Sequence, residues 1–201
     1  SPSIRCSRAP GVTVGQDRAM TEPATGTASS ASSAIDPAAP MTACLARWMD
    51  VLHGDVDALH DVLHPDAVLH SPVLFAPQAG RDTVAMYLTA AAAAFVGVGP
   101  LVGAVAPPAD ASTAVRHPTG ADWDGRFRYV RKVIGSHDAV LEFETTMDGN
   151  YVNGVDMITC DDQGLITDFK VMVRPARAVD AVKAQMLAAL ELFQAGGTDG
   201  S

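Results

Sequence analysis

Aromatic residues, cysteines and basic residues are all scarce in this sequence of 201 residues. Aromatic side chains make up only 5% of it, and there are three cysteines, at positions 6, 44 and 160. An odd number of cysteines without a CxxC pair argues against a disulfide-stapled scaffold and a cysteine-based zinc site. We therefore expect a protein with reduced thiols that works in the cytoplasm.

Basic residues are outnumbered by acidic ones. Lys and Arg together number 14 and Asp and Glu number 23, so the formal net charge is −9. An acidic surface repels phosphate groups. The composition therefore argues against nucleic acid and anionic membranes as partners.

Long apolar runs are also missing. Arg5 and Arg8 are followed by Ala-Pro-Gly and not by an apolar segment, so no secretory signal is expected at this end. The stretch from Thr83 to Ala109 carries no charge, but it is mainly Ala and Gly and Pro100 interrupts it. Such a stretch is too weakly apolar to enter a bilayer, and we expect no membrane-spanning segment.

The remaining composition predicts one folded domain with flexible ends. Apolar residues make up 48% of the chain, enough for a core. Residues 1–41 are rich in Ser, Ala, Thr and Pro and are expected to be disordered, as is the tail 197–201. Met20 or Met41 is a hypothetical native start. The domain is expected at 42–196, with a long and partly mobile loop at 97–125.

Hydrophobic periodicity predicts four helices. The first is capped by Thr42 and stopped by Gly54, and the second runs from Asp55 until Pro65 ends it. A third is predicted over 81–95 and a C-terminal one over 176–195. Strands are predicted over 66–75, 127–135, 139–147, 151–160 and 165–175, with Asp148-Gly149-Asn150 as a hairpin turn. This order predicts an α+β fold in which helices cover one side of a bent, mostly antiparallel sheet.

Four segments carry a resemblance to a known family. They read GDVDALHDVLHPDAVLHSPV (54–73), GRDTVAMYL (80–88), AVLEFE (139–144) and DGNYVNGVDMITCDDQGLITDFKVMVRP (148–175). In order and spacing they resemble the nuclear transport factor 2-like, or SnoaL-like, superfamily, and especially uncharacterised actinobacterial SnoaL-like proteins. The resemblance implies a cone-shaped, cystatin-like sheet around an apolar pocket over residues 43–175. The superfamily includes ketosteroid isomerase, limonene epoxide hydrolase, polyketide cyclases and many non-enzymes, so the fold does not determine the function.

Asp156 is the candidate catalytic residue. It stands in the middle of a strand between Val155 and Met157, and alternation puts it on the face that, by the resemblance, lines the pocket. A carboxyl in an apolar pocket tends to remain protonated and can then donate a hydrogen bond to a substrate carbonyl. Ketosteroid isomerase uses an acid at the matching position in this way. The alternative is an acid satisfied by a local hydroxyl or backbone group.

The other groups of known chemistries are missing. By the resemblance, the isomerase's general base falls at Ser71 and its tyrosine near Trp48, and neither residue can perform that role. His70 is a substitute base only if a bulge turns it inward. The arginine of the limonene epoxide hydrolase type falls at Gly154. These chemistries are therefore disfavoured.

Other polar residues have simpler interpretations. His60 and His64 have the spacing of a metal pair on a helix but lack the accompanying carboxylate, so we expect no metal. Glu142 and Glu144 alternate with apolar residues and are expected to face solvent or an interface. Cys160 has no evident partner and is expected to be a buried, unreactive thiol. No phosphate-binding or dinucleotide motif appears, so no cofactor is expected.

The predicted function is binding of a small apolar molecule, steroid-like or polyketide-like. The pocket residues are expected to be Trp48, Ser71, Tyr87 and Asp156, with Asp156 and Trp48 donating hydrogen bonds. The alternative is an isomerase, cyclase or hydrolase that uses Asp156 as acid or base. Apolar residues on the outer face of the strand 151–160, together with the resemblance, predict a homodimer through that face of the sheet.

Overall fold

The computed structural model describes Asp36, residues 38–97 and residues 117–196. The predictions for residues 1–35 and 197–201, and most of the loop predicted at 97–125, lie outside these ranges. Each helix and strand has the following bounds: α1 Pro40–Leu52, a 3₁₀ turn Val56–Ala58, α2 Leu59–Val62, β1 Leu63–His70, β2 Gln78–Ala79, α3 Arg81–Ala91, a π-helical turn Ala92–Val96, β3 Arg128–Ile134, β4 Asp138–Met147, β5 Asn150–Cys160, β6 Ile166–Arg174 and α4 Ala176–Gly196.

In the described part of the chain, the strands form one sheet with the order β2-β1-β6-β5-β4-β3. Strands β1 and β6 run parallel, and all other neighbours are antiparallel. The helices pack against this curved sheet, and α4 contacts α3, β4, β5 and β6. The α+β fold with a mostly antiparallel sheet and an additional C-terminal helix is therefore confirmed.

The first two helices differ from the predictions, α1 in where it begins and the second in its type and length. Helix α1 begins at Pro40 and not after a Thr42 cap, because proline suits the first helical turn, where its missing N–H is not needed. The Thr42 hydroxyl instead donates to the carbonyl oxygen of Asp36 at 2.8 Å. The predicted second helix is a 3₁₀ turn and a single α-turn that ends at Val62.

Strand β1 starts earlier than predicted and contains Pro65. The strand begins at Leu63 and ends at His70, although the sequence predicts residues 66–75. Pairing with β6 is interrupted between Leu63 and Val68, so Pro65 lies where no ladder hydrogen bond is required of it. Proline therefore does not mark the helix end here.

The C-terminal half agrees with the predictions to within one residue at nearly every boundary. The turn between β4 and β5 has positive φ at both Asp148 (49°) and Gly149 (71°), as expected for a two-residue hairpin. The inner face of the sheet carries the core, including the fully buried residues Leu141, Phe143, Ile158 and Phe169. None of the helices in the described part of the chain is long and apolar enough to cross a membrane.

Candidate functional site

An apolar cavity lies between the inner face of the sheet and the helices. Its volume of about 60 Å³ exceeds the roughly 10–15 Å³ that one water molecule needs. Apolar side chains from α1, α3, the π-helical turn and the sheet form most of its wall. The lining residues are Trp48, Leu52, Leu88, Ala91, Ala92, Phe95, Val96, Phe127, Tyr129, Phe143, Asp156, Phe169 and Val171.

The polar part of this wall is a hydrogen-bonded chain of three side chains. The hydroxyl of Tyr129 donates to Oδ2 of Asp156 at 2.6 Å. The indole Nε1–H of Trp48 donates to the Tyr129 hydroxyl oxygen at 3.0 Å. Each bond fixes the orientation of the next group, so the carboxyl is held in one place at the cavity wall. We call Trp48, Tyr129 and Asp156 the polar triad.

Burial governs the ionisation of the carboxyl. Asp156 lies between Leu141 and Val171 on the neighbouring strands and is 6% exposed. Burial raises the pKa of Asp156 from 3.8 to about 7, even though the hydrogen bond from Tyr129 lowers it. Burial, together with the neighbouring carboxylate, raises the pKa of Tyr129 well above 10. Near neutral pH, the cavity therefore has a carboxyl that can hold or release a proton beside a tyrosine that stays neutral.

The sequence placed Trp48 and Asp156 in the pocket but missed Tyr129. Trp48 was expected to donate its hydrogen bond to a ligand, whereas its N–H is directed at the Tyr129 hydroxyl. Tyr129 lies on β3 opposite Phe143, and the alternation of β3 is disturbed by a register shift after Tyr129. The sequence signal for Tyr129 is its spacing of two from Phe127, the residue that precedes β3, at the start of a segment rich in basic residues.

Ser71 and Tyr87, the other two predicted pocket residues, line a neighbouring cavity. This second cavity has a volume of about 40 Å³. Its lining residues are Leu69, Ser71, Pro72, Tyr87, Leu88, Ala91, Phe95, Val171, Val182 and Met186. The predicted residues are therefore divided between two cavities, and the second one uses helix α4 as part of its wall.

The alternative catalytic residues are placed away from the polar triad. His70 lies beside Lys170 on the outer face, where its Nε2 is 3.0 Å from Oδ2 of Asp168. At Gly154, where an arginine would be needed, a Cβ would lie 2.4 Å from the Phe143 ring and 2.5 Å from the Met172 carbonyl oxygen. Any side chain at this position would thus collide with the sheet itself.

Metal ligands do not converge anywhere in the described part of the chain. No group of three or more His, Cys, Asp and Glu side chains there could hold a metal ion. Nδ1 of His60 lies 3.7 Å from an exposed carboxylate oxygen of Asp82, and His64 is hydrogen-bonded to the Asp66 backbone. Both histidines therefore have local surface partners.

Glu144 is buried, contrary to the expectation that it faces solvent or an interface. It is 8% exposed, and His117 from the segment before β3 lies against it. Tyr151 donates to its carboxylate at 2.7 Å, Arg128 donates at 3.0 Å, and His117 lies 3.1 Å away. Burial alone would raise the pKa of Glu144, but the hydrogen bonds from these three residues outweigh it and lower the pKa.

Cys160 lies near a second cysteine, which the sequence did not indicate. Cys44 and Cys160 are both buried free cysteines, and each influences the ionisation of the other. Burial raises the pKa of Cys44 to about 12 and also raises that of Cys160. Both thiols therefore stay protonated at neutral pH, in keeping with an unreactive pair.

Comparison with known proteins yields similar solved structures. A steroid delta-isomerase from Pseudomonas aeruginosa is 30% identical, with 78% of this chain and 95% of that chain covered and a TM-score of 0.61. An uncharacterised bacterial protein with a cystatin-like fold from Silicibacter pomeroyi is 28% identical, with 74% and 86% covered and a TM-score of 0.55. A nuclear transport factor 2-like protein of unknown function from Mesorhizobium loti is 21% identical, with 70% and 95% covered and a TM-score of 0.49.

No protein-family model matches the sequence, and no curated protein is significantly similar to it. The structural relative at 30% identity is covered over nearly its whole length. The chain therefore belongs to the nuclear transport factor 2-like, or SnoaL-like, superfamily.

Proposed function

We propose that this protein, through a domain that we delimit as residues 42–196, binds a small, neutral, apolar molecule with a hydrogen-bond acceptor such as a ketone oxygen. The single observation that carries the proposal is the polar triad set in an otherwise apolar cavity. Leu52, Leu88 and Phe95 are typical of the surrounding wall. Apolar walls with a few placed polar groups are the general pattern of small-molecule sites.

The ionisation of Asp156 selects the kind of ligand. In its protonated form the carboxyl accepts from Tyr129 with Oδ2 and still has an O–H to donate. A ketone oxygen would accept that proton in a hydrogen bond without bringing a charge into the apolar cavity. A carboxylate or phosphate ligand would be repelled once Asp156 ionises and would lose its own hydration.

A second candidate function is catalysis of an isomerase or cyclase type, and one observation favours it. The 30% identical relative is a steroid delta-isomerase. An Asp and a Tyr in hydrogen-bond contact are also a suitable pair for stabilising a developing oxyanion. However, the described cavity wall facing the triad is apolar, and Ser71 at the expected base position lines the neighbouring cavity. We therefore rank binding first, with Asp156 as the acid if a reaction occurs.

The proposal is tested with two ligands that differ in one group. Acetophenone and ethylbenzene have the same ring and a two-carbon substituent, but only acetophenone has a carbonyl oxygen. We expect acetophenone to bind more tightly, and the difference to vanish in Asp156→Leu, which removes the donor while keeping the branched shape of the side chain. Equal binding of both compounds to the wild-type protein would contradict the proposal.

We also propose that two copies of the chain associate through the outer face of the sheet. Val133, Val140 and Met172 are exposed on that face by 53%, 38% and 53%. Val140 lies between Val133 and Met157 in register. Met172 pairs with Val155, which is two residues from Met157 on β5, so apolar residues occur on all four strands of this face. Sedimentation velocity should give a dimer mass for the wild type and a monomer mass for Met172→Asp. A wild-type monomer at micromolar concentration would remove this proposal.

A further inference from the structure

Two consecutive residues of β4 belong to different faces of the sheet, and one chain segment contacts both of them. Side chains alternate along a strand, so Phe143 lines the cavity on the inner face while Glu144 belongs to the outer face. The segment 117–127, which directly precedes β3, contacts Glu144 through its first residue and Phe143 through its last. We call this segment the strap. It therefore connects the outer face with the cavity wall.

The first part of the strap is held by a cluster around Glu144. Nε2 of His117 lies 3.1 Å from Oε1 of Glu144, and the two side chains are only 9% and 10% exposed. The ring of Trp123 lies edge-on to the rings of His117 and Tyr151, with 5.7 Å and 5.9 Å between the centroids. The guanidinium carbon of Arg128 lies 5.4 Å from the centre of the Trp123 ring. We call His117, Trp123, Glu144 and Tyr151 the latch.

The last residue of the strap is part of the cavity wall. Phe127 lines the cavity, and its ring stacks on Phe143 with 5.4 Å between the centroids. It also meets the ring of Tyr129 edge-on at 5.1 Å. A phenyl ring makes no conventional hydrogen bond, so dispersion and ring contacts hold it in place. Displacement of the strap would therefore remove Phe127 from the wall without breaking a hydrogen bond of its side chain.

Between these two ends, the strap is bonded to β4 through Gly125. The backbone N–H and the hydroxyl of Thr146 both donate to the carbonyl oxygen of Gly125, at 2.9 Å and 2.8 Å. Gly125 has a φ of 78°, which suits glycine and lets the chain turn at this point. Pairing of β3 with β4 begins only at Arg128. The strap thus lacks a continuous ladder, as is typical of segments that open locally.

From this arrangement we propose that the strap is a gate to the cavity, and that the latch on the outer face of the sheet keeps the gate closed. Opening separates the contacts of the latch and moves Phe127 away from Phe143, which admits a small molecule to the cavity. The latch then sets how often the cavity is open. This inference concerns access to the cavity, and it does not depend on which molecule binds there.

The positions of the two tryptophans allow the gate to be tested without a ligand. Trp48 lines the cavity and is 5% exposed, whereas Trp123 belongs to the latch. Replacing Trp123 by Phe or by Ala leaves Trp48 as the only indole fluorophore in both variants. The two variants are matched, since Phe keeps a ring in the latch and Ala removes it. Quenching of Trp48 by acrylamide, a small neutral molecule, measures how often the cavity can be reached.

We expect the quenching rate constant of Trp48 to be about tenfold higher in Trp123→Ala than in Trp123→Phe, because the loss of ring and cation–π contacts shifts an opening equilibrium by roughly this factor. His117→Ala, added to Trp123→Phe, should raise the constant as well. When Phe127→Ala is added to both proteins the difference should vanish, because the gate is then missing. Circular dichroism first establishes that each variant is folded, and if Trp123→Ala is not, the comparison with His117→Ala decides.

Amide hydrogen exchange gives a second measurement on the same two variants. Thr146 donates its backbone N–H to Gly125 of the strap, and Cys160 donates its N–H to the carbonyl oxygen of His137 at the opposite end of β5. Both are strand amides bonded to a carbonyl outside the sheet, so Cys160 is the control. Trp123→Ala should exchange about tenfold faster than Trp123→Phe at Thr146 and equally fast at Cys160, since exchange follows local opening.

Two results would overturn the gate. Equal quenching of Trp48 in Trp123→Ala and Trp123→Phe would show that the latch does not control access to the cavity. A quenching difference that persists with Phe127→Ala, or exchange that accelerates at Cys160 as much as at Thr146, would show a general loosening of the fold instead. Neither result bears on the binding proposal, which acetophenone and ethylbenzene test separately.

Discussion

Replacing Asp156 by Asn should make the protein more stable, and increasingly so as the pH rises. The pKa of Asp156 is about 7 in the folded protein. In the unfolded chain it has the ordinary aspartate value of 3.8. Between these values the folded state binds the proton more tightly than the unfolded state does. The contribution of Asp156 to the free energy of unfolding is therefore complete below pH 3.8, and it is lost as the pH rises towards 7.

The size of this effect is set by the shift in pKa. Each pKa unit corresponds to about 1.4 kcal/mol, so the wild-type protein should lose roughly 4 kcal/mol of unfolding free energy through this group between pH 4 and pH 8. Asn cannot ionise, and its Oδ1 can still accept the hydrogen bond from Tyr129. The difference between Asp156→Asn and the wild type should thus be near zero at pH 4 and approach roughly 4 kcal/mol at pH 8.

Urea denaturation followed by circular dichroism at several pH values measures this difference. Comparing the two proteins at each pH cancels the titration of all groups that the substitution does not disturb. A difference that stays constant with pH would refute the reasoning, because the carboxyl would then have an ordinary pKa. A difference that shrinks as the pH rises would refute it as well, since the pKa would then be lowered by folding.

Three further substitutions probe the same physical arguments. Tyr129→Phe removes a hydrogen bond that favours ionised Asp156, so the pKa of Asp156 should rise above about 7. The NMR signal of its carboxyl carbon, followed over pH, measures this pKa, and an unchanged or lower value would contradict the role of the hydroxyl. Glu144→Gln should lower the free energy of unfolding by roughly 1–3 kcal/mol at pH 8 and by less in acid, because the lowered pKa makes the carboxylate stabilising only while it is ionised. Urea titrations that show no pH dependence of this loss would argue against this. Gly154→Ala should cost roughly 1–3 kcal/mol because its Cβ would collide with Phe143, and an unchanged melting temperature would show that the strand adapts.

The C-terminal half of the fold could be predicted because its local signals agree with one another. On β4, buried Ala139, Leu141 and Phe143 alternate with more exposed residues, and Asp148-Gly149 supplies the positive φ angles that the hairpin with β5 needs. The N-terminal half could not, because tertiary contacts override the local signals there. A proline normally ends a helix or excludes a strand, but the interrupted pairing of β1 with β6 tolerates Pro65.

The residues of the candidate site were predictable only on strands whose side chains alternate regularly between the two faces of the sheet. Alternation along β5 places Asp156 on the inner face, and the same argument places His70 on the outer face with Asp168. Tyr129 was missed because a register shift follows it on β3 and because nothing local marks a hydroxyl that reaches two strands across. The division of Ser71 and Tyr87 into a second cavity depends on helix α4, whose packing position the sequence pattern does not specify.

The most direct test of the binding proposal is the carbonyl carbon signal of acetophenone labelled with ¹³C at that position. In the complex with the wild-type protein below pH 7, a hydrogen bond donated by Asp156 should move the signal downfield of its position in the Asp156→Leu complex. The displacement should disappear as the pH rises above about 7, where the proton is lost. A signal at the same position in both complexes, or one that does not change with pH, would contradict the account.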